Sequence, residues 1–360
     1  MEAREHIGQV LDWLDGRSEG VVCWRCAGSA HGAFVMFGYE SVAQLASDIR
    51  AKLHAVPRDI DLVVGIPRSG MIPAYLIGLY INRSVVDLGT FLANGSALHG
   101  HWRVVGVEVP ELWGAKHVLL VDDSVSSGAS MRDCVQRVHA TPFAGQLTTC
   151  AAIVEPSMVS AVDLHFREMP MPRIFEWNMF HHPDIKNSCF DLDGILCIDP
   201  SALENDDGPR YREFLRGARP RFAPTQRIGH IVSARLERYR GLTEEWLTRH
   251  GIRYGMLHLL DLPNQAERVR LGAHASHKAN VYQRTGAGLF YESDPQQAQE
   301  IARQSGKPVI CTDDMQLYLP TRLGLTSGVA HAKWRLKTPL GRLKGWLRRP
   351  RMFGLPGRSE

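Results

Sequence analysis

The segment from Val118 to Met131 (VLLVDDSVSSGASM) carries the most distinctive chemistry. An apolar run ends in two adjacent carboxylates, Asp122 and Asp123, and small hydroxylated residues and a glycine follow. Small residues let backbone N–H groups approach an anion, and the N-terminus of a following helix adds the positive end of its dipole. We therefore expect a phosphate cradle beside carboxylates that hold ribose hydroxyls or hydrated Mg²⁺. The predicted cradle residues are Ser126, Ser127, Gly128, Ala129 and Ser130.

A second loop, about fifty residues before the acidic pair, contains one fixed cation. The segment from Val63 to Gly70 (VVGIPRSG) is typical of a buried strand followed by a tight loop. Together the two segments resemble the motifs of the type I phosphoribosyltransferases, over about residues 38–180. The resemblance implies that 5-phosphoribosyl pyrophosphate (PRPP) loses pyrophosphate from C1 of its ribose, with Mg²⁺ neutralising the leaving group. It places the leaving group on Arg68, Ser69 and Gly70.

The region between these motifs, residues 91–110, is polar and contains Arg103. The resemblance implies a mobile loop here that closes over the substrate and excludes water; an ordinary surface hairpin is the alternative. Residues 1–40 and 155–182 flank the acceptor side and carry no pattern tied to a particular nucleobase. The acceptor is therefore not required to be a nucleobase.

The segment Cys189 to Gly194 (CFDLDG) places two carboxylates, Asp191 and Asp193, just past an apolar run. An aspartate attacks phosphorus when Mg²⁺ screens the repulsion, and a second carboxyl can protonate the leaving oxygen. Alone, the segment would favour an Asp-rich turn or a calcium loop. Further along the chain, the ends of apolar runs supply Ser233, Glu292 and Asp294, and Lys278 lies in the segment His277 to Asn280 (HKAN).

This order of residues resembles the four motifs of the haloacid dehalogenase-like (HAD-like) phosphatases, over about residues 186–325. The resemblance implies Asp191 as nucleophile, Asp193 as general acid/base, and Ser233 with Lys278 on the phosphoryl oxygens. It also implies a Mg²⁺ site, and which acid of the fourth motif binds the metal is open. The implied metal ligands are Asp191, the backbone of Asp193, Glu292 and Asp294.

Two neighbouring features are less specific. Asp313 and Asp314 are interpreted as a structural turn. The segment 199–226 is short for a cap domain, which leaves the site open to a large substrate. Its arginines either steer an anion or form a solvated basic face. They are Arg210, Arg212, Arg216, Arg219 and Arg221.

The elements that must position these residues follow from alternating apolar runs and helical-period segments, which indicate parallel α/β sheets. The 360 residues suggest two domains, and 44% hydrophobic with 22% charged residues excludes wholesale disorder. The predicted strands are Asp61–Val64, His117–Val121, Thr148–Val154, Ser188–Phe190, Arg227–Val232, Gly288–Tyr291 and Pro308–Cys311. The predicted helices are Ser41–His54, Ile72–Tyr80, Ala129–His139, Leu242–His250 and Asp294–Gln304.

We expect two doubly wound parallel-sheet domains and a basic tail. The predicted boundaries are 1–182 for the phosphoribosyltransferase-like domain, 186–328 for the HAD-like domain with a small cap, and 329–360 for the tail. The linker is placed in the polar stretch 177–187. The apolar stretch 63–81 contains an arginine, prolines and glycines, so it is predicted as a strand, loop and helix rather than a membrane span.

Cysteine usage and charge bear on the compartment. Seven scattered cysteines and a charged first segment favour a reducing, cytoplasmic setting. Cys23 and Cys26 are either ordinary thiols or half of a zinc site. The net charge of +4 combines a +8 segment, 331–360, with an acidic remainder. That segment has the leucine spacing of an amphipathic helix, so it either contacts the cytoplasmic membrane face or packs on the protein body.

The pairing of the two resemblances predicts consecutive reactions. Phosphoribosyl transfer followed by loss of the 5-phosphate resembles the fused proteins that install ribofuranose in bacterial surface polysaccharides, with a lipid-linked glycan as acceptor. One alternative is a nucleobase phosphoribosyltransferase fused to a nucleotidase. Another is a PRPP-sensing protein that binds nucleic acid through its tail; two nearly complete catalytic sets argue against it, so no nucleic-acid partner is expected. The oligomeric state and the acceptor sugar stay open.

Overall fold

The computed structural model describes residues 21–25, 34–97 and 111–320. These residues form a mixed α/β architecture with two mainly parallel sheets and one small sheet. The strands are β1 (Val21–Arg25), β2 (Phe34–Glu40), β3 (Leu62–Gly65), β4 (Ser84–Asp87), β5 (His117–Val125), β6 (Gln146–Val154), β7 (Leu164–Glu168), β8 (Arg173–Phe175), β9 (Ser188–Phe190), β10 (Ile228–Leu236), β11 (Tyr254–Leu260), β12 (Leu289–Glu292), β13 (Val309–Cys311) and β14 (Gln316–Tyr318). The helices are α1 (Val42–Lys52), α2 (Met71–Ile81), α3 (Leu88–Leu92), α4 (Ala129–His139), α5 (Pro209–Gly217), α6 (Arg240–Arg249), α7 (Gln265–Arg270), α8 (Ala273–Arg284) and α9 (Pro295–Ser305).

The first sheet has the order β4-β3-β5-β6-β7 and all of its pairings are parallel. Alternate residues of a strand point to opposite faces. Accordingly, Leu62 and Val64 belong to a core that contains Phe91, whereas Val63 belongs to a core that contains Ile77. Helices α1 and α2 cover one face, and α3 and α4 cover the other, so the sheet is doubly wound.

The second sheet has the order β11-β10-β9-β12-β13-β14, in which only the β13–β14 pairing is antiparallel. Phe190 and Tyr291 pack on the face covered by α5 and α6. Cys189 and Phe290 pack on the opposite face, covered by α8 and α9. Because the parallel strands end at the same edge, the residues after β9, β10 and β12 meet there.

A small sheet of β1, β2 and β8 adjoins both larger ones. Tyr39 and Ile174 from this sheet lie in the same buried cluster as the α5–α6 face of the second sheet. The stretch 177–187, predicted as the linker, includes the buried residues Met179, Phe180 and Ile185. The described chain therefore has no loose connection at this point, and the domain boundaries stay a prediction.

All strands and helices predicted from the sequence are present, with ends shifted by a few residues. The stretch 63–81 is β3, a loop and α2 as expected, and no helix among the described residues is long and apolar enough to cross a membrane. The strands without a prediction in the two large sheets are β4, β7, β11 and β14, which are their edge strands. Edge strands carry polar residues among apolar ones, so they lack a continuous apolar run.

Candidate active sites

Asp122 and Asp123 lie near the end of β5, and each is only 8% exposed. The backbone N–H of Asp123 donates to Asp122 Oδ1 at 2.9 Å. Burial and the neighbouring Asp123 carboxylate raise the pKa of Asp122 to about 7. Ionising both acids is therefore costly until a ligand supplies hydroxyl donors or positive charge.

An aromatic side chain that the sequence reasoning did not single out contacts this acidic pair. Trp177 Nε1 donates to Asp123 Oδ2 at 2.9 Å. The Trp177 ring stacks on Phe175, with centroids 4.8 Å apart and planes at 19°. Arg173, buried on the adjoining strand β8, lies with its guanidinium 5.7 Å from the Phe175 ring. From the sequence, Trp177 is only the first residue of the predicted linker 177–187. Its distance from Asp123 along the chain gives no sign that the two residues are in contact.

The predicted phosphate cradle is an exposed turn that leads into α4. Ser126, Ser127, Ala129 and Ser130 are exposed, and Gly128 is buried with φ +71°. The positive φ at Gly128 is a conformation that glycine adopts without strain, so the backbone favours glycine here. Since glycine offers no capping side chain, N–H groups of the first turn stay available to an anion.

The loop that carries Arg68 lies against the end of β5. A Cβ on Gly70 would lie 2.9 Å from Val121 O and 3.0 Å from Asp122 Cα, so only glycine permits this approach. The peptide bond between Pro67 and Arg68 is cis. Arg68 is exposed and Ser69 half-buried, so both are available to a ligand. The two predicted motifs of the first site thus meet at one sheet edge.

Some predicted site residues lie outside the described part of the chain. Arg103 falls in 98–110, and Cys26 falls in 26–33. Cys23 lies on β1. The basic tail, 329–360, lies outside as well. The five cysteines from 134 onward are buried free thiols.

In the second site, Lys278 joins two acids. Its Nζ donates to Asp191 Oδ2 at 2.7 Å, to Glu292 Oε2 at 2.7 Å and to Gln297 Oε1 at 3.0 Å. Burial raises the pKa of Asp191 well above its usual range, although Lys278 opposes this. Burial alone would lower the pKa of Lys278, but the two carboxylates raise it. Lys278 is therefore a fixed cation whose three N–H donors all have acceptors.

Asp193 is held by an arginine for which the sequence made no prediction. Arg235 Nη2 donates to Asp193 Oδ1 at 2.6 Å, and Arg235 Nε donates to Asp193 Oδ2 at 3.0 Å. Burial favours the neutral acid, but the Arg235 guanidinium outweighs it and lowers the pKa of Asp193. Asp193 in this arrangement is ionised, which suits a base; donating a proton to a leaving oxygen would first require it to gain one.

The two acids of the fourth motif have different partners. Glu292 is fully buried; one of its oxygens accepts from Lys278 and the other from the backbone N–H of Ser293 at 3.0 Å. Asp294 Oδ1 accepts from the N–H of Gln297 at 2.8 Å and caps α9. Among the described residues, Asp294 Oδ2 has no hydrogen-bond partner, so Asp294 has the more available carboxylate oxygen.

A cavity of about 330 Å³ lies at this edge of the second sheet, and Ser233, Asp191 and Lys278 line it. Ser233 is 1% exposed and its Oγ accepts from the N–H of Arg235 at 3.2 Å. The exposed Arg221 donates to Gly194 O at 2.6 Å and pairs with Asp313 at 3.2 Å. Further cavity residues are Asp193, Asp199, Asn205, Tyr211, Arg268, His274, Ser293, Asp294, Gln297 and Asp313.

The donor chemistry of this cavity fits a hard cation, because carboxylate and carbonyl oxygens are the ligands that Mg²⁺ prefers. Among the residues that the structure describes, however, no three His, Cys, Asp or Glu side chains are placed to hold a metal. Asp193 is turned toward Arg235, and both Glu292 oxygens have donors. Of the four predicted metal ligands, Asp191 and Asp294 each keep one carboxylate oxygen, Oδ1 and Oδ2, without a hydrogen-bond partner among the described residues.

Comparison with known proteins gives matches to solved structures only. No protein-family model matches the chain, and no curated protein matches it. A purine phosphoribosyltransferase from Pyrococcus horikoshii is 17% identical, covers 39% of this chain and 93% of its own, and has a TM-score of 0.29. A xanthine-guanine-hypoxanthine phosphoribosyltransferase from Helicobacter pylori is 15% identical, covers 40% of this chain and 92% of its own, and has a TM-score of 0.30. A hypoxanthine phosphoribosyltransferase from Staphylococcus aureus is 16% identical, covers 36% of this chain and 73% of its own, and has a TM-score of 0.24.

Proposed function

We propose that the protein transfers 5-phosphoribose from PRPP to a glycan hydroxyl and then removes the 5-phosphate, leaving ribofuranose on the acceptor. One observation supports this proposal best: in each of the two large sheets, the predicted acids lie near the edge where the parallel strands end, beside groups that can bind an anion. The first edge has the Asp122–Asp123 pair beside the exposed turn 126–130. The second has Asp191 and Lys278 in a common cavity.

In the transfer step, the bond from ribose C1 to pyrophosphate breaks and a bond from C1 to the acceptor oxygen forms. The N–H groups at the start of α4 bind the 5-phosphate, and Arg68 with the backbone of Gly70 binds the departing pyrophosphate. Asp122 and Asp123 hold the ribose hydroxyls between these two anions. As the acceptor oxygen attacks C1, its hydroxyl proton passes to the departing pyrophosphate, and Trp177 fixes the orientation of the Asp123 carboxylate.

In the hydrolytic step, Asp191 attacks phosphorus, the bond from phosphorus to O5 of the ribose breaks, and O5 takes a proton that Asp193 has first gained from solvent. Lys278 keeps Asp191 in place, and Ser233 donates its hydroxyl proton toward a phosphoryl oxygen. The ionised Asp193 then takes a proton from the water that cleaves the phosphoaspartate. Loss of phosphate makes the overall transfer irreversible.

Mg²⁺ is proposed as the cofactor of both steps. In the second site Asp191 Oδ1, the backbone carbonyl of Asp193 and Asp294 would hold it, with Glu292 kept as an acceptor for Lys278. There it would screen the charge of the phosphoryl group from the carboxylates.

The deciding experiment supplies labelled PRPP with a panel of glycan acceptors and nucleobases, and measures pyrophosphate and phosphate separately. Wild-type protein should release both with a glycan acceptor. Asp191→Asn should release pyrophosphate and stop at a 5-phosphorylated product, whereas the double variant Asp122→Asn with Asp123→Asn should release neither. Exposed aspartates give matched controls: Asp133→Asn beside the first site and Asp261→Asn in the second half should leave both products unchanged.

The alternatives predict other outcomes. A nucleobase phosphoribosyltransferase fused to a nucleotidase would release pyrophosphate with nucleobases and not with glycans. A PRPP-sensing nucleic-acid-binding protein would show no turnover and a steep salt dependence of binding. Phosphate released by Asp191→Asn at the wild-type rate would overturn the hydrolytic assignment.

A further inference from the structure

Arg268, on α7, is a buried cation without a carboxylate partner. Only 7% of the Arg268 residue is exposed. Two other buried arginines have carboxylate partners: Arg167 pairs with Glu40 and Asp48, and Arg235 pairs with Asp193. Among the described residues no carboxylate lies within 4.0 Å of the Arg268 guanidinium. Because burying an unpaired charge is unfavourable, this position calls for an anion that the protein itself does not provide.

The hydrogen bonds of Arg268 leave part of its donor set unused. Nη1 donates to Ala234 O at 2.9 Å, directly after Ser233 on β10. Nε is buried and has no acceptor among the described residues. A buried donor without a partner is rare in folded proteins, and a ligand that provides an acceptor removes its cost.

Arg268, with its unpaired Nε–H donor, lies at the second site. Arg268 lines the 330 Å³ cavity together with Asp191, Ser233 and Lys278. Lys278 uses its three N–H donors on Asp191, Glu292 and Gln297. A phosphoryl group that enters the cavity therefore meets one cation, Lys278, whose donors are all engaged, and a second, Arg268, whose Nε–H has no acceptor among the described residues.

The neighbouring histidine supports the same electrostatic picture. Burial, with further contributions from Arg268 and Lys278, lowers the pKa of His274 to about 4. His274 is thus neutral at physiological pH and adds no competing positive charge. Its imidazole also lines the cavity and can donate one hydrogen bond.

We propose that Arg268 is the anion-binding residue of the second site and contacts the phosphoryl oxygens of a phosphomonoester dianion. The inference rests on the proposed phosphatase function for its catalytic meaning, but the binding of an anion does not depend on turnover. In this assignment Arg268 neutralises the phosphoryl group, while Lys278 holds the nucleophile and Glu292. Arg268 is then a substrate-binding residue for which the sequence pattern made no prediction.

The test uses inorganic phosphate as the probe and the full-length protein. Calorimetric titration should show phosphate binding to the wild type, at least tenfold weaker binding to Arg268→Gln, and intermediate binding to Arg268→Lys. Arg270→Gln is the matched control, since Arg270 is exposed on the same helix and pairs with Glu267; it should bind as the wild type does. With ribose 5-phosphate as substrate, Arg268→Gln should raise KM at least tenfold and change kcat less than threefold.

The two hypotheses fail in distinguishable ways. If the wild type hydrolyses no phosphomonoester but Arg268→Gln loses phosphate binding, the proposed function fails and the anion site stands. If folded Arg268→Gln binds phosphate with the wild-type Kd, the anion site is wrong. Should Arg268→Gln fail to fold, the Arg268 Nε–H resonance of ¹⁵N-labelled wild type decides: it should shift on addition of phosphate, and an unchanged resonance at saturation overturns the proposal.

Discussion

Arg235 donates hydrogen bonds to both carboxylate oxygens of Asp193, and the Arg235 side chain is completely buried. Such a two-point contact fixes the plane of the carboxylate and keeps it ionised. The pair therefore determines both the direction of Asp193 and its protonation state.

Removing Arg235 should destabilise the second half of the protein. Arg235→Gln leaves a largely buried carboxylate without its cation, so we expect the free energy of unfolding to fall by about 3 kcal/mol. Urea unfolding measures this change. Combining Arg235→Gln with Asp193→Asn should recover part of the loss, because the unpaired charge is then gone.

An exposed ion pair provides the control for the buried Arg235–Asp193 pair. Arg303 pairs with Glu300 on the surface of α9, with the Arg303 side chain 58% exposed. Arg303→Gln should cost at most about 1 kcal/mol. Equal losses for Arg235→Gln and Arg303→Gln would contradict the importance assigned to the Arg235–Asp193 contact.

Trp177→Phe should selectively impair the transfer step. The substitution keeps an aromatic face for Phe175 but deletes the hydrogen bond to Asp123, which should cost about 1–2 kcal/mol of stability. Release of pyrophosphate should slow at least fivefold, whereas hydrolysis of ribose 5-phosphate should not change. Both rates are measured on the same preparation.

Trp113→Phe provides the matched comparison. Trp113 Nε1 donates to Phe91 O at 2.9 Å, away from the acidic pair. Loss of this hydrogen bond should lower the free energy of unfolding by a similar amount without slowing the transfer step. If both tryptophan variants transfer at the same rate, Trp177 has a purely structural role.

The sequence predicted what continuous apolar runs determine. The central strands β3, β5, β9 and β12 are buried on both faces, so their positions and the acids that follow them were evident from the pattern. The edge strands were missed because one side of each lacks a neighbouring strand, which permits polar residues.

Contacts between distant segments could not be predicted. Trp177 and Asp123 are 54 residues apart, and nothing in local sequence relates them. Arg235 lies within an apolar strand pattern, where a single charge looks like an interruption; only the fold brings Asp193 to it, 42 residues away. The motif spacing predicts two candidate sites but not the residues that orient their carboxylates.

The stability of the first sheet should depend on pH through Asp122. Its folded pKa of about 7 lies above the ordinary aspartate value of 3.8, so between these values the folded protein holds an extra proton. The free energy of unfolding therefore falls as pH rises through this window. Asp122→Asn removes this ionisation. The free energy of unfolding of the variant, measured relative to that of the wild type, should therefore rise by on the order of 2 kcal/mol between pH 5 and pH 8.

Urea unfolding at pH 5 and pH 8, with a chelator and without PRPP, measures this gain. Asp133→Asn, an exposed change on the neighbouring helix, should show the same offset at both pH values. An equally constant offset for Asp122→Asn would show that Asp122 does not titrate in this range.

The charge of the tail should govern association with anionic vesicles. Residues 331–360 carry a net charge of +8, which favours an anionic surface by about 1 kcal/mol per nearby base. Deleting them should abolish co-flotation with phosphatidylserine vesicles at low salt while both reactions continue on a soluble acceptor. Co-flotation that persists after the deletion would place membrane contact elsewhere.

Lys278→Met should uncouple the two reactions. Without the ammonium group, the buried carboxylates of Asp191 and Glu292 face each other uncompensated, and one of them should take up a proton. A protonated Asp191 is a poor nucleophile, so phosphate release should fall at least a hundredfold. Pyrophosphate release should continue, and a 5-phosphorylated product should accumulate, detectable by mass spectrometry.

Lys307→Met separates this effect from a general loss of stability. Lys307 Nζ donates to the backbone carbonyls of Tyr282, Thr285 and Ala287, so it ties the end of α8 in place without contacting the acids. Its removal should lower the melting temperature but leave phosphate release within threefold of the wild type. Because both lysines anchor α8, comparable losses of phosphate release in the two variants would mean that Lys278 acts by holding the helix; a loss confined to Lys278→Met requires its charge beside Asp191.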